Sequence, residues 1–200
     1  KTPYYMVVNE LAYALSQHKP DLLGIGGICS NYPFLKDVID TMRNIHPEIP
    51  IVLGGGIVTN DREFIFNLLK PDYAITGEGE EAIVRLANGE DKGQIDNLSY
   101  WVDGKAIHNP KAYKYRDINT VPFPDYEPFG LQNMLDNYSM ATRLLYRYSR
   151  PYPRPFPIVT ARGCPFNCTF CVHRSNTLYR PRSIDNIMAE IKQYYEKFKF

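Results

Sequence analysis

Three times between Leu22 and Asn88 a short apolar run ends in glycines and gives way to an amphipathic helical pattern. Leu22 to Ile28 leads through Cys29-Ser30-Asn31-Tyr32-Pro33 into a helix with Phe34, Val38, Met42 and Ile45 on one side. Pro50 to Leu53 closes on Gly54-Gly55-Gly56, and the next helix starts near Asn60, where Glu63 three residues on makes a capping box. Tyr73 to Thr76 closes on Gly77-Glu78-Gly79-Glu80, before a helix that stops at Asn88-Gly89. Short strands alternating with amphipathic helices specify an α/β fold, a parallel, doubly wound sheet with right-handed crossovers. Ligands of such sheets bind beyond the carboxyl ends of the strands. The glycine loops fall there, where a missing side chain lets the backbone approach a ligand closely. None of them reads G-x-G-x-x-G or G-x-x-x-x-G-K-[ST], so neither a dinucleotide site nor a P-loop is supported.

Ahead of these units, Thr2-Pro3 starts a helix with Val7, Leu11 and Leu15 on one face, ending before Pro20. A chain that opens on Lys1 and a helix reads as a piece of a longer protein whose preceding strand is missing. Beyond the units, Leu98 to Val102 and Lys105 to Ile107 flank Asp103-Gly104, a strong hairpin signal, expected to lie beside the sheet as an accessory. From Asn109 to Pro157 proline and tyrosine are dense, which suits an ordered linker with a short helix within Gln132 to Tyr146. A strand over Ile158 to Ala161 then leads into a cysteine loop. Ser183 caps a helix carrying Ile184, Ile187, Met188, Ile191 and Tyr195 on one face. The expected division is therefore 1–108, a linker over 109–157, and the start of a second α/β domain over 158–200.

Charge separates the two halves. Residues 1–100 carry 8 Lys+Arg against 14 Asp+Glu, and residues 101–200 carry 15 against 8. Between Asn137 and Ile184 there is no acid, yet Arg143, Arg147, Arg150, Arg154, Arg162, Arg174, Arg180 and Arg182 all occur. Such a patch is either a basic surface or a holder of something anionic. Nucleic acid is a poor candidate, because the patch has no interleaved lysines and the whole chain is nearly neutral at +1. No run approaches the roughly 18 to 20 apolar residues of a membrane span. With no signal peptide, the expected compartment is the cytoplasm.

Three of the four cysteines, Cys164, Cys168 and Cys171, sit within eight positions at C-x3-C-x2-C spacing, with Cys29 apart from them. A closed zinc site wants four ligands, usually as two C-x2-C pairs, and only one such pair exists here. His173 is awkwardly placed to be a fourth ligand. Three thiolates suit a [4Fe-4S] cube with one iron left open, where a small molecule can be bound and reduced.

The cysteine spacing, with Phe170 before the last cysteine and the loop following a strand, resembles the signature of radical S-adenosylmethionine (SAM) enzymes. Upstream, Lys19-Pro20-Asp21-Leu22-Leu23-Gly24-Ile25, Ser30-Asn31-Tyr32-Pro33, Val52-Leu53-Gly54-Gly55 and Asp72 to Glu80 resemble the Rossmann-like, flavodoxin-like cobalamin-binding domain of the vitamin B12-dependent class. Val121-Pro122-Phe123-Pro124 and Arg180-Pro181-Arg182-Ser183 fit it too, so the likeness covers nearly the whole chain. The resemblance implies that 158–200 begins a partial TIM barrel. It implies that Cys164, Cys168 and Cys171 ligate a [4Fe-4S] cluster, that SAM chelates the open iron, and that Phe170 lies near the SAM adenine. Cobalamin would be held by Cys29, Ser30, Asn31, Tyr32, Gly54, Gly55, Gly56, Gly77, Glu78, Gly79 and Glu80. The implied activity is methyl transfer from methylcobalamin to an unactivated carbon or phosphorus, by way of a 5′-deoxyadenosyl radical. The implied partners are a small-molecule, natural-product-like substrate and an electron donor such as flavodoxin or ferredoxin. A radical cyclase or rearrangement enzyme, and a cobalamin-binding module serving only electron transfer, are the alternatives. The cobalamin motif D-x-H-x-x-G and the glycine-rich SAM motif are absent from these residues, so this piece alone is not expected to turn over.

Overall fold

The computed structural model describes residues 4–112, 117–136, 154–166, 168–171 and 178–200. They fall into two compact units, Lys1–Lys114 and Tyr115–Phe200.

In the first unit β1 (Leu23–Gly26), β2 (Ile51–Gly54) and β3 (Tyr73–Ile75) run parallel and lie side by side in chain order. They are joined by α2 (Tyr32–Ile45), then by α3 (Gly56–Asn60) and α4 (Arg62–Leu69). Ahead of β1 stands α1 (Tyr4–His18), and α5 (Glu80–Ala87) follows β3. Alternation along the strands splits the core in two. Leu23, Ile51, Leu53 and Ala74 pack with Leu35, Val38, Met42, Ile57 and Phe66 of the helices, while Val52 and Ile75 turn the other way, onto Ala82 and Ile95. Helices thus cover both faces, which is the α/β arrangement the sequence predicts. Phe66 is fully buried and stacks on Trp101 with ring centroids 4.6 Å apart; burial of such a ring contributes about 1.5–3 kcal/mol.

The hairpin departs from expectation. Its strands β4 (Leu98–Val102) and β5 (Lys105–His108) do not lie beside the sheet but continue it, β4 pairing antiparallel with β3 so that Ile75 faces Leu98. The reason is burial: Leu98 and Ser99 are fully covered, one on each face, which a strand outside the sheet would not allow. Asp103 and Gly104 both take positive φ, 49° and 73°, as a tight primed turn requires.

Helix faces shift by a residue where the expected spacing of four outruns 3.6 residues per turn. In α1 the buried positions are Val8 and Leu15, with Val7 38% exposed. In α2 they are Leu35, Val38, Ile39 and Met42, leaving Ile45 exposed. The cap of α4 is Asp61, accepting the Phe64 N–H at 3.3 Å, one residue past the predicted Asn60 because Gly56–Asn60 form a helix of their own. Thr2 and Pro3 lie outside the described residues.

The second unit contains α6 (Leu131–Asp136), β6 (Ala161–Arg162), β7 (Arg180–Pro181) and α7 (Ile184–Phe198), with β6 and β7 antiparallel. Ser183 caps α7 as predicted, accepting the Asn186 N–H at 3.2 Å. The buried face of α7 is Glu190, Tyr194 and Phe198, whereas the predicted Ile184, Met188 and Tyr195 are exposed. What α7 packs against decides this: Phe123, Tyr126, Leu131, Leu135 and Phe156, residues of the proline- and tyrosine-rich stretch, gather around Tyr194 and Phe198. The Tyr194 hydroxyl donates to Pro124 O at 2.5 Å, and the Ser183 N–H to Asn119 Oδ1 at 2.8 Å. Of the helix predicted within 132–146, residues 137–146 lie outside the described ones. Among the described residues no helix is long and apolar enough to cross a membrane.

Candidate functional site

In the first unit the strands bring the glycine loops together. Gly26 lies opposite Gly54 at the ends of β1 and β2, so their loops leave side by side. The Gly27 N–H donates to Gly54 O at 3.4 Å, and the Ile57 N–H to Gly27 O at 3.0 Å. This approach needs glycine at 55: its φ is +87°, and a Cβ there would stand 2.7 Å from Gly27 O. The loop after β3 is tied in by Thr59, whose hydroxyl donates to Gly55 O at 3.1 Å and accepts the Gly77 N–H at 3.0 Å. Past Gly77, Gly79 precedes α5, and Glu80 and Glu81 in its first turn match the positive end of the helix dipole.

Within the first loop, Cys29–Asn31 form a 3-10 turn with all three residues exposed. Asn31 turns back on its own loop, its Oδ1 accepting the Ile28 N–H at 2.9 Å. Tyr32 opens α2 and packs, half-buried, against the first core. Cys29 and Ser30 remain the outward-facing side chains of that turn.

Sequence reasoning passes over two features here. One is Thr59. The other is a strip without side chains: Gly24, Gly26 and Gly54 share one face of the sheet with Val52 and Ile75. A Cβ on Gly24 would meet nothing nearer than Val52 Cγ1 at 3.9 Å, and one on Gly54 nothing nearer than Ile75 O at 4.0 Å. A Cβ would fit at Gly24 and Gly54 but at Gly26 would press on Gly54 O at 3.2 Å, so this face of the sheet stays bare toward the glycine loops. Gly24 in mid-strand was the available signal, since a glycine there marks a close approach of something else to the backbone.

In the second unit the cysteine loop leaves β6 through Gly163, at φ +79°. Cys164 and Cys171 are half-buried, Cys168 is exposed, and none is in a disulfide. The Cys171 N–H donates to Cys168 O at 3.1 Å, closing a turn between the two. Among the described residues no three His, Cys, Asp or Glu side chains stand close enough together to hold a metal ion. Three thiolates drawn together repel one another until a metal offsets their charge, so a site of this kind forms with its metal. Three cysteines outside any disulfide are nonetheless a donor set that suits an iron–sulfur cluster. Phe170 is 90% exposed. His173 lies outside the described residues.

Among the described arginines, Arg180 is buried with its Nε donating to Leu178 O, and Arg182 and Arg154 are engaged by the chain itself. Arg182 pairs with the buried carboxylate of Glu190 at 2.5 Å and donates to Val159 O at 2.9 Å and Asn186 Oδ1 at 2.6 Å. Tyr126 donates to the other oxygen of Glu190 at 3.0 Å, and burial together with that bond pushes the phenol up to about 12. Arg154 donates to Phe198 O and Lys199 O and pairs with Asp136. A cavity of about 150 Å³ opens beside this network, lined by Val121, Phe123, Tyr126, Val159 and Arg182 among others.

Comparison with known proteins bears on both units. Residues 5–87 match the B12 binding domain family. An uncharacterized methyltransferase, PH0819, of Pyrococcus horikoshii is 27% identical over 197 residues, covering 93% of this chain and 39% of its own length. The anaerobic magnesium-protoporphyrin IX monomethyl ester cyclase of Cereibacter sphaeroides is 24% identical over 212 residues, 94% of this chain and 30% of that protein. Among solved structures, the radical SAM methyltransferase TsrM from Kitasatospora setae, with cobalamin and a [4Fe-4S] cluster bound, superposes with a TM-score of 0.61. It is 18% identical, the match covering 98% of this chain and 38% of TsrM, and shows likeness of fold. The chain thus spans between a quarter and two fifths of each of these proteins.

Proposed function

With a B12 binding domain matched over residues 5–87 and a likeness to cobalamin-dependent radical SAM enzymes along nearly the whole chain as premise, we propose that the chain is part of a cobalamin-dependent radical SAM methyltransferase. The observation that carries this is the gathering of three glycine loops at the carboxyl ends of β1, β2 and β3, beside a sheet face left bare at Gly24 and Gly54: a cradle with few side chains. Gly54, Gly56 and Gly77 would let the cofactor lie against main chain, Gly55 would keep its loop closed on Gly27, and Ser30 and Cys29 would stand at the rim. Gly24 and Gly26 would floor the path of its nucleotide tail. Cobalamin, when bound, supplies the methyl group that is transferred. Cys164, Cys168 and Cys171 would ligate a [4Fe-4S] cluster, whose contribution would be an electron for SAM cleavage, and Phe170 would lie by the adenine. The protein's share is to hold the cofactors in position and keep water away from a reactive methyl donor. The acceptor would be an unactivated carbon or phosphorus of a small molecule, with the electron coming from a flavodoxin- or ferredoxin-like donor.

A second reading, ring closure by the same radical chemistry, is favoured by the likeness to the Cereibacter cyclase. The test is direct. Anaerobic reconstitution of protein carrying this chain with iron and sulfide should give cluster absorbance that is lost when Cys164, Cys168 and Cys171 are all replaced by Ala. Hydroxocobalamin should bind with a shifted visible spectrum. An unchanged spectrum, or a cluster that survives the triple substitution, would refute the respective half of the proposal. Product analysis with isotopically labelled SAM separates methyl transfer from cyclisation.

A further inference from the structure

The three loops of the cradle are not joined in the same way. Those after β1 and β2 are stitched by main chain, Gly27 N–H to Gly54 O and Ile57 N–H to Gly27 O, so no side chain sets their spacing. The loop after β3 is coupled to them through a side chain. Thr59 Oγ1 gives its proton to Gly55 O and takes the Gly77 N–H, at 3.1 and 3.0 Å. Gly55 and Gly77 both hold positive φ, +87° and +75°. Gly55 is already fixed, its carbonyl accepting the Val58 and Thr59 N–H groups at 3.2 and 3.1 Å, so the Thr59 hydroxyl acts as the tie by which the permissive Gly77 is held to it. Thr59 is itself well placed, because it lies on α3, whose Ile57 and Val58 are fully buried.

We infer that Thr59 is a positioning residue for cobalamin: its hydroxyl sets the separation of the loop after β2 from the loop after β3, and with it the width of the cradle. The inference rests on the cobalamin reading proposed above. A threonine can do this and a valine of the same shape cannot, because one oxygen must donate on one side and accept on the other. Serine keeps both bonds.

The experiment compares Thr59→Val and Thr59→Ser with unaltered protein carrying this chain, using hydroxocobalamin titrated by visible absorbance, thermal unfolding without the cofactor, and hydrogen exchange of the Gly77 amide. Thr59→Val is expected to weaken binding about tenfold, equivalent to about 1.4 kcal/mol, and to speed exchange at Gly77, with Thr59→Ser returning both to within about twofold of the unaltered protein. A role confined to stability would lower the unfolding midpoint of Thr59→Val and leave the affinity of its folded protein unchanged; that outcome overturns the inference while the cobalamin reading stands. No binding by the unaltered protein overturns both. Should Thr59→Val not fold, the unaltered protein decides: the Gly77 amide must exchange slowly and slow further when hydroxocobalamin is added, and an unprotected amide in both states overturns the inference.

Discussion

A Cβ on Gly163 would stand 2.1 Å from the carbonyl oxygen of Leu178. The main chain entering the cysteine loop and the main chain entering β7 touch there, and only hydrogen fits between them.

Gly163→Ala must therefore push apart β6 and β7 and move the start of the loop. Clash with backbone and a left-handed φ together cost at least about 2–3 kcal/mol. Thermal unfolding should show that loss, and anaerobic reconstitution should give less iron per chain than the unaltered protein. Full iron loading would show that the contact does not govern the loop.

Gly55 and Gly77 form a matched pair for the first unit. Both have positive φ, but a Cβ on Gly77 meets nothing within 4 Å, whereas one on Gly55 meets Gly27 O at 2.7 Å and Gly27 N at 2.9 Å. Gly77→Ala should cost about 1 kcal/mol from conformation alone, and Gly55→Ala roughly 2–4 kcal/mol with the added clash. Chemical denaturation measures both. Equal losses would mean the loops separate easily, against the close approach seen here.

Glu190 and Arg182 are a buried pair, their side chains 1% and 10% exposed. Glu190→Gln leaves a guanidinium without its counter-charge and should destabilise the second unit by about 3–5 kcal/mol. The double change Arg182→Met with Glu190→Leu should recover part of that, giving a coupling of more than about 1 kcal/mol in a double-mutant cycle. The phenol of Tyr126 should fall only part way from about 12 in Glu190→Gln, because burial is the larger cause of its elevation; a pH titration of its ring resonances checks this.

His108 gives the first unit a pH dependence. Its Nδ1 meets Ser99 Oγ at 2.8 Å, its Nε2 is buried with no hydrogen-bond partner among the described residues, and Phe66 lies edge-on to the ring. Burial, and then the charge of Arg62, hold the imidazole below its ordinary value, with Glu63 opposing weakly. The native state therefore resists a proton that the unfolded chain takes up near pH 6.5. Stability should be flat above that pH and fall as pH drops through it toward the depressed native value, by at most about 1.4 kcal/mol per pH unit for one proton. His108→Phe should flatten this slope in urea unfolding followed from pH 8 to 5. A slope that persists would assign it elsewhere.

Element order and sheet class were legible because glycine loops and apolar runs alternate in a way only an α/β sheet satisfies. The hairpin's pairing was not: nothing local names β3 as the partner, and polar Ser99 gives no sign of the burial it takes there. The face of α7 was misread for a physical reason. Ile184 and Met188 look like core, but the partner surface is aromatic and carries the Arg182 guanidinium, so Glu190 and Tyr194 go inward and find their bonds there. In the cradle the loop glycines could be picked out from the residues alone. Thr59 could not, since its role depends on a carbonyl four residues back and an N–H eighteen residues on, in the loop after another strand.

The primed turn at Asp103-Gly104 has a kinetic consequence. Hairpins close in microseconds, whereas parallel neighbours wait for a whole crossover to form. The β4–β5 ladder can thus nucleate first and offer β3 a ready edge, after which β2 and β1 add in turn. On this route Gly104→Ala slows refolding, while Gly55→Ala chiefly hastens unfolding, as stopped-flow measurements would show. The glycine end of the sheet, the most sparsely furnished with side chains, is then the last to order on folding and the first to open.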